Sequence, residues 1–210
     1  IIECKYLRGE CWRNANLGVL DDIVNYKKYR YFDKSDRNYL DLIKGKSVAI
    51  VGPLSLSDAD KFELDDFDFI VKLNIADFEA LEEEERVDIV YYSNEASSNI
   101  KSCHTFSQKN KPLAIVSRDA KVLPYFNHVS VKRVMPCTNP FTFNGGLNLL
   151  QRILLDINRF LPKTVKVFGA DMYATMEYDK SYQTGSPLDY EYTYDQFVRH
   201  DLITQFKITK

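Results

Sequence analysis

At 210 residues the chain has room for one sizeable α/β domain and too little for two. A hydrophobic content of 45% with 28% charged residues fits an ordinary water-soluble globular core. The net charge of −2 gives no electrostatic footprint for nucleic acid, so no nucleic-acid partner is expected. No stretch approaches the roughly 18 consecutive apolar residues of a membrane span, so any membrane association is expected through regions outside this sequence. Cys4, Cys11, Cys103 and Cys137 show neither CxxC nor zinc-ligand spacing, and reduced thiols in a cytoplasmic protein are expected. The chain starts at Ile1 without a methionine or a signal-like segment and is read as part of a longer polypeptide.

Residues 1–45 read as a short, partly helical N-terminal extension. Leu17-Gly18-Val19-Leu20 and Ile23-Val24 suggest a brief helix, and the polar aromatic run Tyr26 to Tyr31 reads as a solvated face. Lys44-Gly45-Lys46 forms a turn before the first strand. From Ser47 onward, short β-rich runs fall at 47–51, 67–73, 87–92, 113–117, 129–134 and 164–168. Between Gly146 and Phe160, Leu147, Leu150, Ile153, Leu154 and Ile157 recur at three- and four-residue steps, the period of an amphipathic helix. Strands alternating with helices predict an α/β fold: a single Rossmann-like domain over 46–210 with a mostly parallel sheet flanked by helices.

Several residues carry potential chemistry. Gly52 ends the first strand and opens the loop Gly52-Pro53-Leu54-Ser55, where a missing side chain lets a phosphate or ribose approach the backbone. This is neither a GxGxxG fingerprint nor a Walker A loop, which demotes NAD-linked and ATP-hydrolysing activities. Asn74 and Asn94 end the second and third strands. An amide at a strand end suits a base edge or a ribose hydroxyl, and it equally suits a turn. Asn144-Gly145-Gly146 precedes the amphipathic helix, either as a capping turn or as a set of free N–H groups facing an anion.

The last strand leads into Gly169-Ala170-Asp171-Met172-Tyr173, followed by Tyr178 and much later by His200. Two phenols donate well to phosphate oxygens, and an imidazole near neutrality suits removal of a hydroxyl proton. Alone, His200 reads as readily as a surface histidine. His104 and His128 lie in segments without other candidate chemistry. Asp58-Ala59-Asp60 and Asp66-Phe67-Asp68 match the letters of a metal-binding DxD pair. Neither falls where a mid-sheet strand ends, so both read as solvated acidic residues. No GxSxG elbow marks a hydrolase.

In their order and spacing these motifs resemble the sialyltransferases, in particular the compact bacterial kind that use CMP-activated sugars. The resemblance spans about residues 46–210 and is carried by Val48 to Gly52, Asp68 with Lys72 and Asn74, Asn144 to Gly146, Gly169 to Tyr173 with Tyr178, and His200. It implies a GT-A-like variant of the Rossmann-like fold. It also implies metal-independent single displacement with inversion, without a cofactor. His200 would be the general base, Tyr173 and Tyr178 the clamp on the leaving phosphate, and Asn74 a nucleotide contact, with Asn94 near donor or acceptor. Gly52, Pro53, Leu54, Ser55, Asn144, Gly145, Gly146, Gly169 and Asp171 would complete the donor site.

The implied reaction transfers an acidic sugar, sialic acid or Kdo, to a glycan or glycolipid hydroxyl during assembly of a surface polysaccharide such as capsule or lipopolysaccharide. Three positions depart from the family pattern. Pro53 stands where Asn is usual, Asn144-Gly145-Gly146 replaces Ser/Thr-Gly, and Gln205 stands where some relatives carry Glu. Two alternatives stay open on those grounds: a transferase using another phosphate-leaving donor such as phosphoribosyl pyrophosphate, and a non-catalytic nucleotide-binding module of a larger enzyme. Retention through Asp171 or Asp201 as nucleophile is open as well.

Overall fold

The computed structural model of the protein describes residues 34–75, 86–93, 100–135 and 148–170. In chain order they form α1 (Lys34–Ile43), β1 (Ser47–Val51), α2 (Asp58–Leu64), β2 (Phe69–Leu73), β3 (Ile89–Tyr92), α3 (Ile100–Asn110), β4 (Ala114–Ser117), the 3-10 helix η1 (Ala120–Phe126), β5 (Val131–Val134), α4 (Leu149–Asn158) and β6 (Thr164–Phe168). The six strands make one sheet in the order β5-β4-β3-β2-β1-β6, with every neighbouring pair parallel. The fold is therefore α/β and Rossmann-like. All six strands lie within two residues of the runs read from the sequence, and the sheet is wholly rather than mostly parallel.

The sequences explain the arrangement. A parallel strand buried on both faces needs a continuous apolar run, which Ile89–Tyr92 (IVYY) and Ala114–Ser117 (AIVS) provide, each buried at all four positions. The chain steps from β1 to β5 in one direction and then returns across the sheet to place β6 beside β1. Right-handed crossovers put helices on opposite faces when the direction of travel reverses. Accordingly α2 packs on Ala49, Val51 and Ile70, and α3 with η1 packs on Val90, Tyr92 and Ile115, all on one face. On the other face α4 lies against Val48, Ile50, Val71 and Val116.

α1 shares that second face. Tyr39 and Ile43 are fully buried in the same cluster as α4, so part of the stretch read as an extension belongs to the core. The brief helix expected around 17–24 and the run Tyr26 to Tyr31 lie outside the described residues. α4 is the amphipathic helix expected from the sequence. Its Leu150, Ile153, Leu154 and Ile157 are buried, and Asn148 caps it by accepting a hydrogen bond from the Gln151 N–H at 3.2 Å. Among the described residues no helix is long and apolar enough to cross a membrane.

One polar cluster is buried within the α1–α4 face. Arg133 of β5 is fully buried, and its guanidinium meets Asp156 of α4 through two bonds of 2.5 and 2.8 Å and Asp36 of α1 through a third of 2.5 Å. Tyr91 of β3 donates to the same Asp156 carboxylate at 2.8 Å, and its oxygen lies 2.9 Å from the Tyr39 hydroxyl. The guanidinium carbon stacks 4.6 Å from the Phe160 ring centroid and 5.3 Å from that of Tyr39. Burial pushes both tyrosine hydroxyls well above their ordinary range. Burial acts to lower the Arg133 pKa, yet the charge and hydrogen bonds of Asp156 outweigh it and keep the guanidinium firmly protonated. Four elements are thus tied through one carboxylate and one guanidinium.

Candidate functional site

In an open parallel sheet, ligands enter at the carboxyl ends of the strands, beside the place where strand order reverses. Here that place is the junction of β1 and β6, which brings together the turns at Gly52 and Gly169. The two turns lock onto each other: the Gly52 N–H donates to the Phe168 carbonyl at 2.8 Å, and the Leu54 N–H donates to the Gly169 carbonyl at 3.0 Å. A Cβ on Gly52 would overlap the Gly169 carbonyl oxygen, and Gly169 sits at φ +57. The space beside Gly52 is therefore filled by the backbone of the neighbouring turn. Pro53 has no N–H to offer, while the exposed Ser55 hydroxyl makes no hydrogen bond among the described residues.

Asn74 stands one strand away. It leaves β2 in the left-handed region at φ 49, a conformation that Asn tolerates better than most residues. Its N–H donates to the Tyr91 carbonyl at 2.9 Å, and its side-chain oxygen accepts from the Ser93 N–H at 2.9 Å. The turn-forming role thus falls on the backbone and the side-chain oxygen. The carbonyl oxygen fixes the ends of β2 and β3, and the side-chain NH2 has no partner among the described residues. A donor group at a rigid strand end is suited to a carbonyl, ribose or phosphate oxygen. Arg118, which directly follows β4, lies on the same edge and was not singled out from the sequence.

The acidic pairs do other work. Ser57 caps α2, its Oγ accepting from the Asp60 N–H at 3.2 Å and donating to the Asp60 carboxylate at 2.6 Å. Asp68 lies at the opposite, amino edge of the sheet, where it accepts from the Ser47 N–H and Oγ–H, both at 2.8 Å, and pairs with Lys46 at 3.4 Å. The Ser47 bonds hold its carboxyl below the usual carboxylate range. Asp68 is thus an anchor joining the starts of β1 and β2, remote from the carboxyl ends. Among the described residues no group of three or more His, Cys, Asp or Glu side chains is placed to hold a metal ion.

Two further groups among the described residues carry nucleophilic atoms, Ser107 and Cys103. Ser107 lies 2.9 Å from the His128 Nε2, but its hydroxyl donates to the His104 carbonyl at 2.8 Å, so the imidazole is the donor in this pair. Such a serine is not primed for deprotonation. Cys103 of α3 is buried against the sheet, and burial pushes its thiol up to about 11. It is an inert core thiol at neutral pH.

Of the residues singled out from the sequence, Gly52, Pro53, Leu54, Ser55, Asn74 and Gly169 gather at the carboxyl edge. Asn94, Asn144, Gly145, Gly146, Asp171, Tyr173, Tyr178 and His200 lie outside the described residues. A scan against protein-family models and a search of curated proteins return no match to this chain.

Proposed function

We propose that this chain is a sialyltransferase-like glycosyltransferase that binds a CMP-activated acidic sugar at the carboxyl edge of its sheet. The observation that carries the reading is Asn74. Its side-chain oxygen is spent on holding the ends of β2 and β3, and its NH2 is left at the edge where nucleotides enter parallel sheets. The order of motifs around it supplies the chemistry. Tyr173 and Tyr178 donate hydrogen bonds to the departing phosphate, and His200 takes the proton from the acceptor hydroxyl as that oxygen attacks the anomeric carbon. No step requires a metal. The acceptor is a glycan or glycolipid hydroxyl in surface polysaccharide assembly.

The test is CMP release and sugar transfer from CMP-sialic acid and CMP-Kdo in EDTA, with a panel of glycan and glycolipid acceptors. Turnover is expected without added metal. His200→Ala, and separately Tyr173→Phe with Tyr178→Phe, should each lower kcat by about 100-fold or more, as removal of a general base or of oxyanion donors does. Turnover that EDTA abolishes would overturn the reading in favour of a metal-dependent transferase. Consumption of phosphoribosyl pyrophosphate instead would keep the phosphate clamp and change the reaction.

A further inference from the structure

β4 reaches the carboxyl edge at Ser117, and the next residue is an arginine with a pinned backbone. The Arg118 N–H extends the β3–β4 ladder by donating to the Tyr92 carbonyl at 3.1 Å. Ser117, fully buried, accepts the Asp119 N–H on its Oγ at 3.1 Å. Asp119 in turn caps η1, its carboxylate accepting from the Lys121 N–H at 2.9 Å. The acidic neighbour is therefore committed to the cap, and Arg118 projects from a braced segment.

The Arg118 side chain is half-buried and makes no hydrogen bond or ion pair among the described residues. Arg133 is engaged with Asp36 and Asp156, Arg159 with Asp156, and Arg86 with Asp88, while Arg37, which also makes no hydrogen bond or ion pair among the described residues, is exposed and so keeps its hydration. Partial desolvation of a guanidinium is unfavourable unless a partner offsets it. Its planar fork matches the two oxygens of a carboxylate or phosphate. By strand spacing Arg118 stands two strands, or about 10 Å, from Asn74 along the same edge. That separation suits contact with a different part of one extended ligand.

We infer that Arg118 is a recognition residue for an anionic group of the substrate that enters this edge. Resting on the function proposed above, that group is the carboxylate of the transferred acidic sugar, and an acceptor phosphate is the other source of the same chemistry.

Two experiments on the full chain decide this. In the first, phenylglyoxal labels exposed arginines and peptide mass spectrometry reads Arg118. Label is expected on Arg118 in the free protein, with protection by added sialic acid. Protection by inorganic phosphate alone would keep the anion site and assign it to a phosphate; protection by neither would overturn the inference. In the second, calorimetry compares CMP with the 3-fluoro analogue of CMP-sialic acid. Arg118→Gln should weaken the analogue by about tenfold or more and leave CMP unchanged, and Arg118→Lys should restore only part of the loss. Equal weakening of both ligands, or of neither, would overturn it. If the unaltered protein binds neither nucleotide, the CMP-sugar reading fails, and the labelling still decides Arg118.

Discussion

Replacing Asp156 by alanine is expected to cost about 3–5 kcal/mol of folding stability, because it strands a fully buried guanidinium. Asp156 takes both terminal nitrogens of Arg133, accepts the Tyr91 hydroxyl, and lies 3.5 Å from Arg159. After its removal Asp36 remains as a carboxylate on Arg133, and that residue sits at the edge of the cluster. The tyrosine chain from Tyr39 to Tyr91 loses its acceptor as well. The attraction between the two buried charges chiefly offsets their own desolvation, so removing both is gentler than removing one. The double variant Arg133→Met, Asp156→Leu should recover most of the loss. Urea unfolding of the single and double variants checks this through the coupling energy. A loss under about 1 kcal/mol in Asp156→Ala, or a double variant as unstable as the sum of the singles, would contradict the account.

The second large effect is expected at the paired turns. Gly52→Ala should destabilise by about 3 kcal/mol or more, at the upper end of overpacking costs. The new methyl would overlap the Gly169 carbonyl oxygen and touch the Ala170 Cβ at 3.0 Å. Backbone on both sides is held by the Gly52–Phe168 and Leu54–Gly169 hydrogen bonds, so neither turn yields easily. Gly169→Ala combines a left-handed backbone with contacts of 2.9 Å to the Leu54 carbonyl oxygen and the Leu56 side chain. Gly45 gives the control: its φ of +72 is left-handed, but no atom lies within 4 Å of the added Cβ. Gly45→Ala should therefore cost only the backbone term of about 1–2 kcal/mol. Denaturant midpoints of the three variants should rank in that order. Gly52 is not left-handed, so a Gly52→Ala loss no larger than that of Gly45→Ala would mean that the contact of the two turns does not set the requirement for glycine there.

Those glycines also show where sequence reading reaches its limit. Gly52 and Gly169 were identifiable as turns because each closes a run of apolar residues. What fills the space beside them was not, since the two lie 117 positions apart in the chain, and only the return of β6 beside β1 joins them. The inner strands β1 to β4 were legible because strands buried on both faces must be largely apolar, while the edge strands β5 (VKRV) and β6 (TVKVF) showed only as short valine-rich runs. α4 was legible by its period. α1 was not: its sequence KSDRNYLDLI is mostly polar, and it buries only Tyr39 and Ile43. Arg133 shows the same limit in another form. A charged residue within a short strand reads as solvent-facing until Asp36 and Asp156, 97 and 23 positions away, are placed around it.

At the site, the sequence marked Asn74 as either a turn former or a ligand contact. The structure assigns the turn to its backbone and side-chain oxygen, and leaves the NH2 without a described partner. Arg118 carried no sequence signal, because one arginine after a strand is unremarkable without knowing that its acidic neighbour is occupied elsewhere.

The most direct test of the proposed nucleotide site is a calorimetric titration of the protein with CMP, CDP, UDP and GDP, with EDTA or with Mg²⁺. CMP is expected to bind in EDTA, and Asn74→Gly, which keeps the left-handed turn and removes the amide, should weaken binding by about tenfold, the worth of one or two hydrogen bonds. Binding of UDP or GDP only in the presence of Mg²⁺, with CMP silent, would contradict the proposal.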